Sequence, residues 1–248
     1  MSISVIIIAK NEADNLQLSL PKLHWCDDIV LVNDNSTDNT VEIAEQFGCK
    51  IFNRAFDGFG TQKQFAVSKA AHQWILNIDA DEVLSDELIK EILAIDFKNG
   101  STAGFTIPIR HVFLGKVFLH GKESNYKHLR LFNKLSGNFD EAKVHEKVKI
   151  NGTIRDLKNV VLHYSYKDLK HYFAKFNQYT SIGAIKLKEK GKHRSLFLSV
   201  TSFPFYFIKH YFVYRNFMNG KSGFIWSYLS AWYHVVKYLK LHELNSKK

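Results

Sequence analysis

Ile3-Ser4-Val5-Ile6-Ile7-Ile8-Ala9 is a β-branched, almost wholly apolar run that ends abruptly in Lys10-Asn11-Glu12. So short a run with no polar face suits a central parallel strand covered on both sides. The pattern returns at residues 28–32, 50–53 and 74–78, and each run leads into Asn or Asp. Helical patterns lie between them, over residues 11–20, 40–47 and 61–71, and Ser85 with Leu88 marks a further helix start. Asn35, Ser36 and Asp38 form a polar turn and cap cluster ahead of the second helix. Strand and helix alternating at this spacing predict parallel βαβ units, an α/β fold that binds ligands at the carboxyl ends of its strands. Beyond Gly104 the pattern loosens into short strand candidates at 105–109, 127–132 and 160–164, and beyond Lys167 it turns helical.

The chain has 248 residues, 46% of them apolar, enough for a full core and incompatible with disordered or fibrous classes. Its net charge of +10 is unevenly placed. Residues 1–166 carry 19 basic and 21 acidic side chains, and residues 167–248 carry 15 and 3. The second segment also holds 19 of the 35 aromatic residues. Two domains are therefore expected: 1–166, with ligand binding in 1–100 and the remaining chemistry in 101–166, and a basic, aromatic-rich helical extension over 167–248. Cys26 and Cys49 are the only cysteines, and no signal-peptide pattern precedes Ile3, so an intracellular protein with reduced thiols is expected. No run reaches the roughly 18 apolar residues of a spanning helix, and the nearest, 195–208, is followed by Lys209 and His210.

Leu76-Asn77-Ile78-Asp79-Ala80-Asp81-Glu82 is the sharpest motif. In extended backbone, carboxylates at i and i+2 leave on the same side, and two such oxygens can hold a divalent cation against a diphosphate. The plainer reading is a solvated turn with Asp81 or Asp86 capping the next helix. Val32 to Thr40 contains Asp34, an acceptor-only carboxylate suited to a base imide N–H, in a segment whose other polar residues suit turn formation.

SVIIIAKNEADNL, VNDNSTDNT and LNIDADEVL, in that order, resemble the nucleotide-sugar-binding half of inverting family 2 glycosyltransferases with the GT-A fold, a Rossmann-like nucleotide-diphospho-sugar transferase domain. DGFGTQKQFAV, LRLFNKLSGNF, VHEKV and VLHYSY extend the resemblance to the lipopolysaccharide-core β-1,4-glucosyltransferase-like branch. The resemblance implies that Ala9, Asn11, Glu12 and Asp34 line a nucleoside pocket, and that Asp79 and Asp81 form the metal and ribose-diphosphate motif with Mg²⁺ or Mn²⁺. It places Lys63 near the donor, although an exposed helix position explains it equally. His163 falls where such enzymes often keep a histidine near the metal, and the alternative is an ordinary hydrogen-bonded histidine. Arg130 can pair with phosphate or with a structural carboxylate. Inversion needs one base for the acceptor hydroxyl. Glu123, Asp140, Glu141 and Glu146 are the available carboxylates, and Glu146 falls at the family's acidic position, with Asp140 as the alternative. His145-Glu146 replaces the commoner Glu-Asp pair there. The Gln-x-x-Arg-Trp motif of processive relatives is absent, which favours transfer of a single sugar, glucose or another hexose.

Residues 195–218 interleave Phe and Tyr with Lys209, His210 and Arg215, a pattern suited to an anionic membrane surface. The competing expectation is that these rings only cover the catalytic domain. The combined expectation is a cytoplasmic enzyme, peripheral on the inner face of the cell membrane. It would use a nucleotide sugar, UDP-linked by preference, and a glycan or lipid-linked acceptor of lipopolysaccharide or envelope polysaccharide synthesis. A sugar nucleotidyltransferase is the near alternative, but Lys10-Asn11-Glu12-Ala13 stands where its Gly-rich phosphate loop belongs. A nucleic-acid-binding protein is the distant one, and it leaves Asp34 and the Asp pair unexplained.

Overall fold

β1 (Ile3–Ala9) is buried on both faces, with Ile3, Val5, Ile6 and Ile7 at 1% exposure or less. In this computed structural model, which describes residues 3–97, 101–124, 126–142 and 146–246, β1 pairs in parallel with β2 (Asp28–Asn33) on one side. β4 (Trp74–Asn77) flanks it on the other, and β3 (Lys50–Asn53) extends the sheet beyond β2, again in parallel. Alternation along the strands sorts their side chains. Val5, Ile7 and Leu31 pack with residues of α1 (Ala13–Ser19), α2 (Thr40–Gln46) and α4 (Asp86–Leu93). Ile6, Val30 and Val32 pack with Ala66 and Val67 of α3 (Phe59–Lys69).

The chain forms two compact units, one of Met1–Ile109 with Tyr126–Tyr164, the other of Arg110–Asn125 with Ser165–Lys248. The first is not wholly parallel. After β5 (Glu82–Leu84) and β6 (Thr102–Phe113), β8 (Tyr126–Asn133) runs antiparallel to both β4 and β6. The sheet order is β3-β2-β1-β4-β8-β6-β12-β5, with β12 being Val161–His163, and β11 (Thr153–Asp156) also pairs with β6. Beyond β4 the sheet is therefore mixed: β8 is antiparallel to its neighbours and β12 to β5, whereas β11 runs parallel to β6. β9 (Gly137–Phe139) and β10 (Val148–Ile150) form a separate antiparallel pair.

Gly60, in the first turn of α3, donates its N–H to Ala142 O at 3.1 Å, and a Cβ there would stand 2.0 Å from Asp140 O. Gly60→Ala is expected to push the 140–142 segment away and cost about 1–3 kcal/mol, measurable by urea unfolding.

In the second unit, β7 (Lys116–Val117) closes a hairpin on Val112 and Phe113. The helices are α5 (Leu169–Glu189), α6 (Leu196–Thr201), α7 (Phe203–Ile208) and α8 (Gly220–Ser246), with a π-helical turn over Lys209–Val213. Phe113, Phe118, Tyr172, Trp226 and Leu229 form its core. This corrects the division at residue 166: residues 110–125 supply the rings that the helical segment buries, a long-range partnership that charge and composition along the chain do not reveal.

Candidate active site

The end of β1 and the end of β2 are stitched together. Asp34 N donates to Ala9 O at 2.9 Å, and Lys10 Nζ meets Asp34 Oδ2 at 2.8 Å. Asn11 takes a left-handed conformation (φ 56°), which Asn tolerates, and its Oδ1 accepts from Thr37 N at 2.7 Å. Glu12 N donates to Thr40 Oγ1 at 2.8 Å, and Asn15 Nδ2 donates to Glu12 Oε2 at 2.6 Å. The helix therefore begins at Ala13, not at Asn11. Asp34 Oδ1 also accepts from Phe56 N at 3.0 Å, and its carboxyl lies below the usual range, chiefly through the Lys10 hydrogen bond. Ala9, Asn11, Glu12 and Asp34 are thus brought together.

The end of β4 carries a denser arrangement. Lys63 Nζ, on α3, bridges Asp79 Oδ1 at 2.9 Å and Glu146 Oε1 at 2.7 Å. Arg130, on β8, bridges Asp79 Oδ2 at 2.8 Å and Glu82 Oε1 at 2.5 Å, and Glu82 Oε2 accepts from Asp79 N at 2.9 Å. The Lys63, Arg130 and Glu82 side chains are buried, whereas Asp79 retains 36% exposure. Beside them, β12 pairs antiparallel with β5, setting His163 opposite Glu82 and its Nε2 at 3.1 Å from Asp81 Oδ2.

This geometry corrects one expectation. Asp79 and Asp81 do not leave an extended strand on one side. Residues 79–82 form a turn closed by Glu82 N donating to Asp79 O at 2.9 Å, and the two carboxylates take different partners. Arg130 engages the carboxylates of Asp79 and Glu82. Lys63 is buried and paired, so the exposed-helix alternative is excluded. Asp140 Oδ1 accepts from Ala142 N (3.4 Å) and Lys147 N (3.1 Å), organising its own loop. Val144 and His145 of the VHE motif lie outside the described residues, and Glu123 belongs to the second unit. Glu82 went unnoticed at the sequence level, because a carboxylate after an Asp-x-Asp reads as part of a solvated turn.

Two cations share this cluster with three carboxylates, and the imbalance falls on Glu82. Burial, with the repulsion of Asp79 added and the attraction of Arg130 opposing, raises its carboxyl to about 7. Burial works against the ionised form of Asp79 too, but Arg130 and Lys63 outweigh it and hold that carboxyl well below the usual range. Burial likewise lowers His163, and the Asp81 hydrogen bond and charge more than restore it, so its basicity is raised. Glu82 loses its proton near 4.5 when unfolded and near 7 when folded. The folded state thus binds more protons between those values, and this group's contribution makes stability fall as pH rises through the window. Glu82→Gln is expected to flatten that part of the profile, read from urea midpoints at pH 5 and 8.

Among the described residues no cluster of three or more His, Cys, Asp or Glu side chains could hold a metal ion. Asp81 and His163 together nonetheless present an oxygen and an imidazole nitrogen side by side. A doubly wound α/β sheet, extended by antiparallel strands and with its polar groups at the strand ends, is the GT-A-like fold, here with long C-terminal helices. Residues 4–155 match the model of glycosyl transferase family 2, and the chain belongs to that family; it is a glycosyltransferase. An uncharacterized glycosyltransferase of Rickettsia typhi is 32% identical over 99% of this chain and 88% of its own length. The lipopolysaccharide core biosynthesis glycosyltransferase LpsC of Rhizobium meliloti is 27% identical, covering 100% of this chain and 94% of LpsC. The crystal structure of S. aureus TarS 1–349 in complex with UDP matches with a TM-score of 0.51 at 14% identity, over 100% of this chain and 92% of that one, a likeness of fold.

Proposed function

We propose that the chain is an inverting, metal-dependent glycosyltransferase that moves one hexose, such as glucose, from a UDP-sugar to a glycan or lipid-linked acceptor of the cell envelope. The supporting observation is the continuous Glu146–Lys63–Asp79–Arg130–Glu82 contact chain at the end of β4, with Asp81–His163 beside it. Asp34 accepts from the base of the nucleotide, within a pocket made by Ala9, Asn11 and Glu12. Asp81 and His163 would hold Mg²⁺ or Mn²⁺, with diphosphate oxygens completing the ligand set. A cation bound there would neutralise charge on the departing nucleoside diphosphate. Asp79, whose two oxygens are both paired, positions Lys63, and Lys63 in turn holds Glu146. The acceptor hydroxyl oxygen forms the new bond to the anomeric carbon as the bond to the diphosphate oxygen breaks. Its proton passes to Glu146, and the nucleoside diphosphate leaves with the electron pair. LpsC, a lipopolysaccharide core enzyme by name, supports the choice of acceptor class.

Nucleoside diphosphate release from a panel of UDP-, GDP- and dTDP-sugars tests this reading. UDP-sugar turnover abolished by EDTA and restored by Mn²⁺ is expected. No turnover or binding with any member of the panel overturns it.

The second unit supports attachment to an anionic membrane surface on the cytoplasmic side. Phe197, Phe205 and Val213 are 74%, 64% and 67% exposed, and Leu198, Phe212 and Met218 are more than half exposed. No described helix is long and apolar enough to cross a membrane, so this surface fits in-plane seating, with Arg194, Lys209 and Arg215 towards the headgroups. Full burial of a Phe contributes about 1.5–3 kcal/mol. A Phe197→Ser/Phe205→Ser variant is therefore expected to lower co-sedimentation with phosphatidylglycerol-containing vesicles at least tenfold while leaving the melting temperature unchanged. Truncation after residue 166 is a poorer test, because it would uncover Phe113 and Phe118.

A further inference from the structure

In the second unit a cavity of about 190 Å³ lies among Glu123, Tyr172, Tyr179, His210, Trp226 and His234, room for a single six-membered sugar ring. Its walls are largely aromatic rings, and its polar groups can each donate or accept a hydrogen bond. Burial, aided by the nearby charges of Lys209 and Lys122, pushes His210 down to about 4. Burial does the same to His234, to about 4, with Lys237 and His210 adding to it. Both imidazoles are thus neutral at physiological pH, each with one N–H and one lone pair. Burial raises the Glu123 carboxyl, and its own backbone N–H and the Trp226 indole N–H offset this only partly. His210 Nδ1, Glu123 Oε2 and Trp226 Nε1 are sealed from water without a well-formed hydrogen bond among the described residues, so a ligand in the cavity would meet Glu123 and His210 through their other polar atoms.

Three ligand chemistries suit aromatic walls, and the charges separate them. An organic cation is disfavoured because Lys175 and Lys237 already sit 5.6 Å and 5.5 Å from the ring centres of Tyr166 and Tyr233, two further rings of the lining. A hydrocarbon chain would leave Glu123, His210 and His234 unsatisfied. What remains is an uncharged ligand with apolar C–H faces and a hydroxylated rim. We infer that this cavity binds one neutral pyranose ring of a glycan, stacked on the tyrosines and Trp226 and hydrogen-bonded through Glu123, His210 and His234. Identifying that glycan with the acceptor rests on the glycosyltransferase reading above; the binding itself does not.

Saturation-transfer NMR on the full chain tests it, with the methyl pyranosides of glucose, galactose and mannose as probes. Transfer to the ring C–H protons of at least one glycoside is expected, falling at least fivefold in Tyr179→Ala and in Glu123→Gln. Tyr179 is 48% exposed, so its truncation spares the core, and an unchanged melting temperature verifies this. Absence of transfer from all three glycosides, or transfer unaltered in both variants, overturns the inference. So does a tetramethylammonium-induced shift of tryptophan fluorescence that the glycosides do not produce, which identifies a cation cage. UDP-sugar hydrolysis by the same preparations is scored apart: its absence overturns the donor chemistry and leaves the glycoside result standing.

Discussion

Glu146→Gln is expected to lower the rate of UDP release from a UDP-sugar by about 10²–10⁴, the usual contribution of a general base. Glu146 lies 2.7 Å from Lys63, and Lys63 lies 2.9 Å from Asp79, so the carboxylate is tied to the end of β4 through one side chain. Gln preserves the size and the oxygen that Lys63 contacts but cannot take a proton at neutral pH. The loss should therefore appear in kcat, with KM for the donor nearly unchanged. Asp140→Asn is the control. Asp140 Oδ1 serves two backbone N–H groups of its loop, and Asn retains that oxygen, so the rate should fall no more than a few fold. The opposite pattern, with Glu146→Gln active and Asp140→Asn inactive, transfers the role of base to Asp140. Hydrolysis in the absence of acceptor suffices as the assay, because water needs the same deprotonation.

Arg130→Met is expected to carry the largest stability cost, about 3–5 kcal/mol. Arg130 is the cation between Asp79 and Glu82, and the Glu82 side chain is only 1% exposed. Without the guanidinium, two neighbouring carboxylates face each other, with Lys63 paired to Asp79 and His163 nearby. Glu82, already raised to about 7, should then take up a proton at neutral pH. The corresponding fall in melting temperature is roughly 6–20 °C. Adding Glu82→Gln to Arg130→Met should recover part of the loss, since an amide is neutral without the cost of protonating a carboxyl that is ionised in the unfolded chain. Lys127→Met removes the exposed Lys127–Asp156 pair, and should change stability by no more than about 1 kcal/mol. Equal effects of Arg130→Met and Lys127→Met would mean that the buried cluster contributes no more than a surface pair.

Several features of the site were legible residue by residue. Asp34, Asn11 and Glu12 sit at strand ends because the apolar runs before them end there, and the sheet brings those ends together. Lys63 and Glu146 were separately marked by family resemblance, but their contact spans 83 residues of sequence. The reading of Asp79 and Asp81 as a same-side pair assumed that the strand continued. β4 stops at Asn77, and the turn that follows sends the two carboxylates to different partners. Arg130 offered two readings because guanidinium suits phosphate and carboxylate equally, and the structure shows its contacts with the Asp79 and Glu82 carboxylates. For residues 195–218 the rings could have been core or surface. Ser199 and His210 are buried, whereas Phe197, Phe205 and Phe212 are largely exposed, a distribution that no helical period of this mixed sequence announces.

What the amino-acid sequence determines by itself is the series of local choices: β-branched runs that become strands, polar residues that end them, and helix starts such as Ser85, whose side chain accepts from Leu88 N at 3.2 Å. These depend on neighbours a few residues away, so they survive reading along the chain. Only the tertiary structure decided which charges neutralise one another, which unit residues 110–125 join, and which rings of the last third remain in solvent. Each of these depends on segments far apart in sequence meeting in space. A side chain's electrostatics follow from the neighbours it meets there, not from those beside it in the chain.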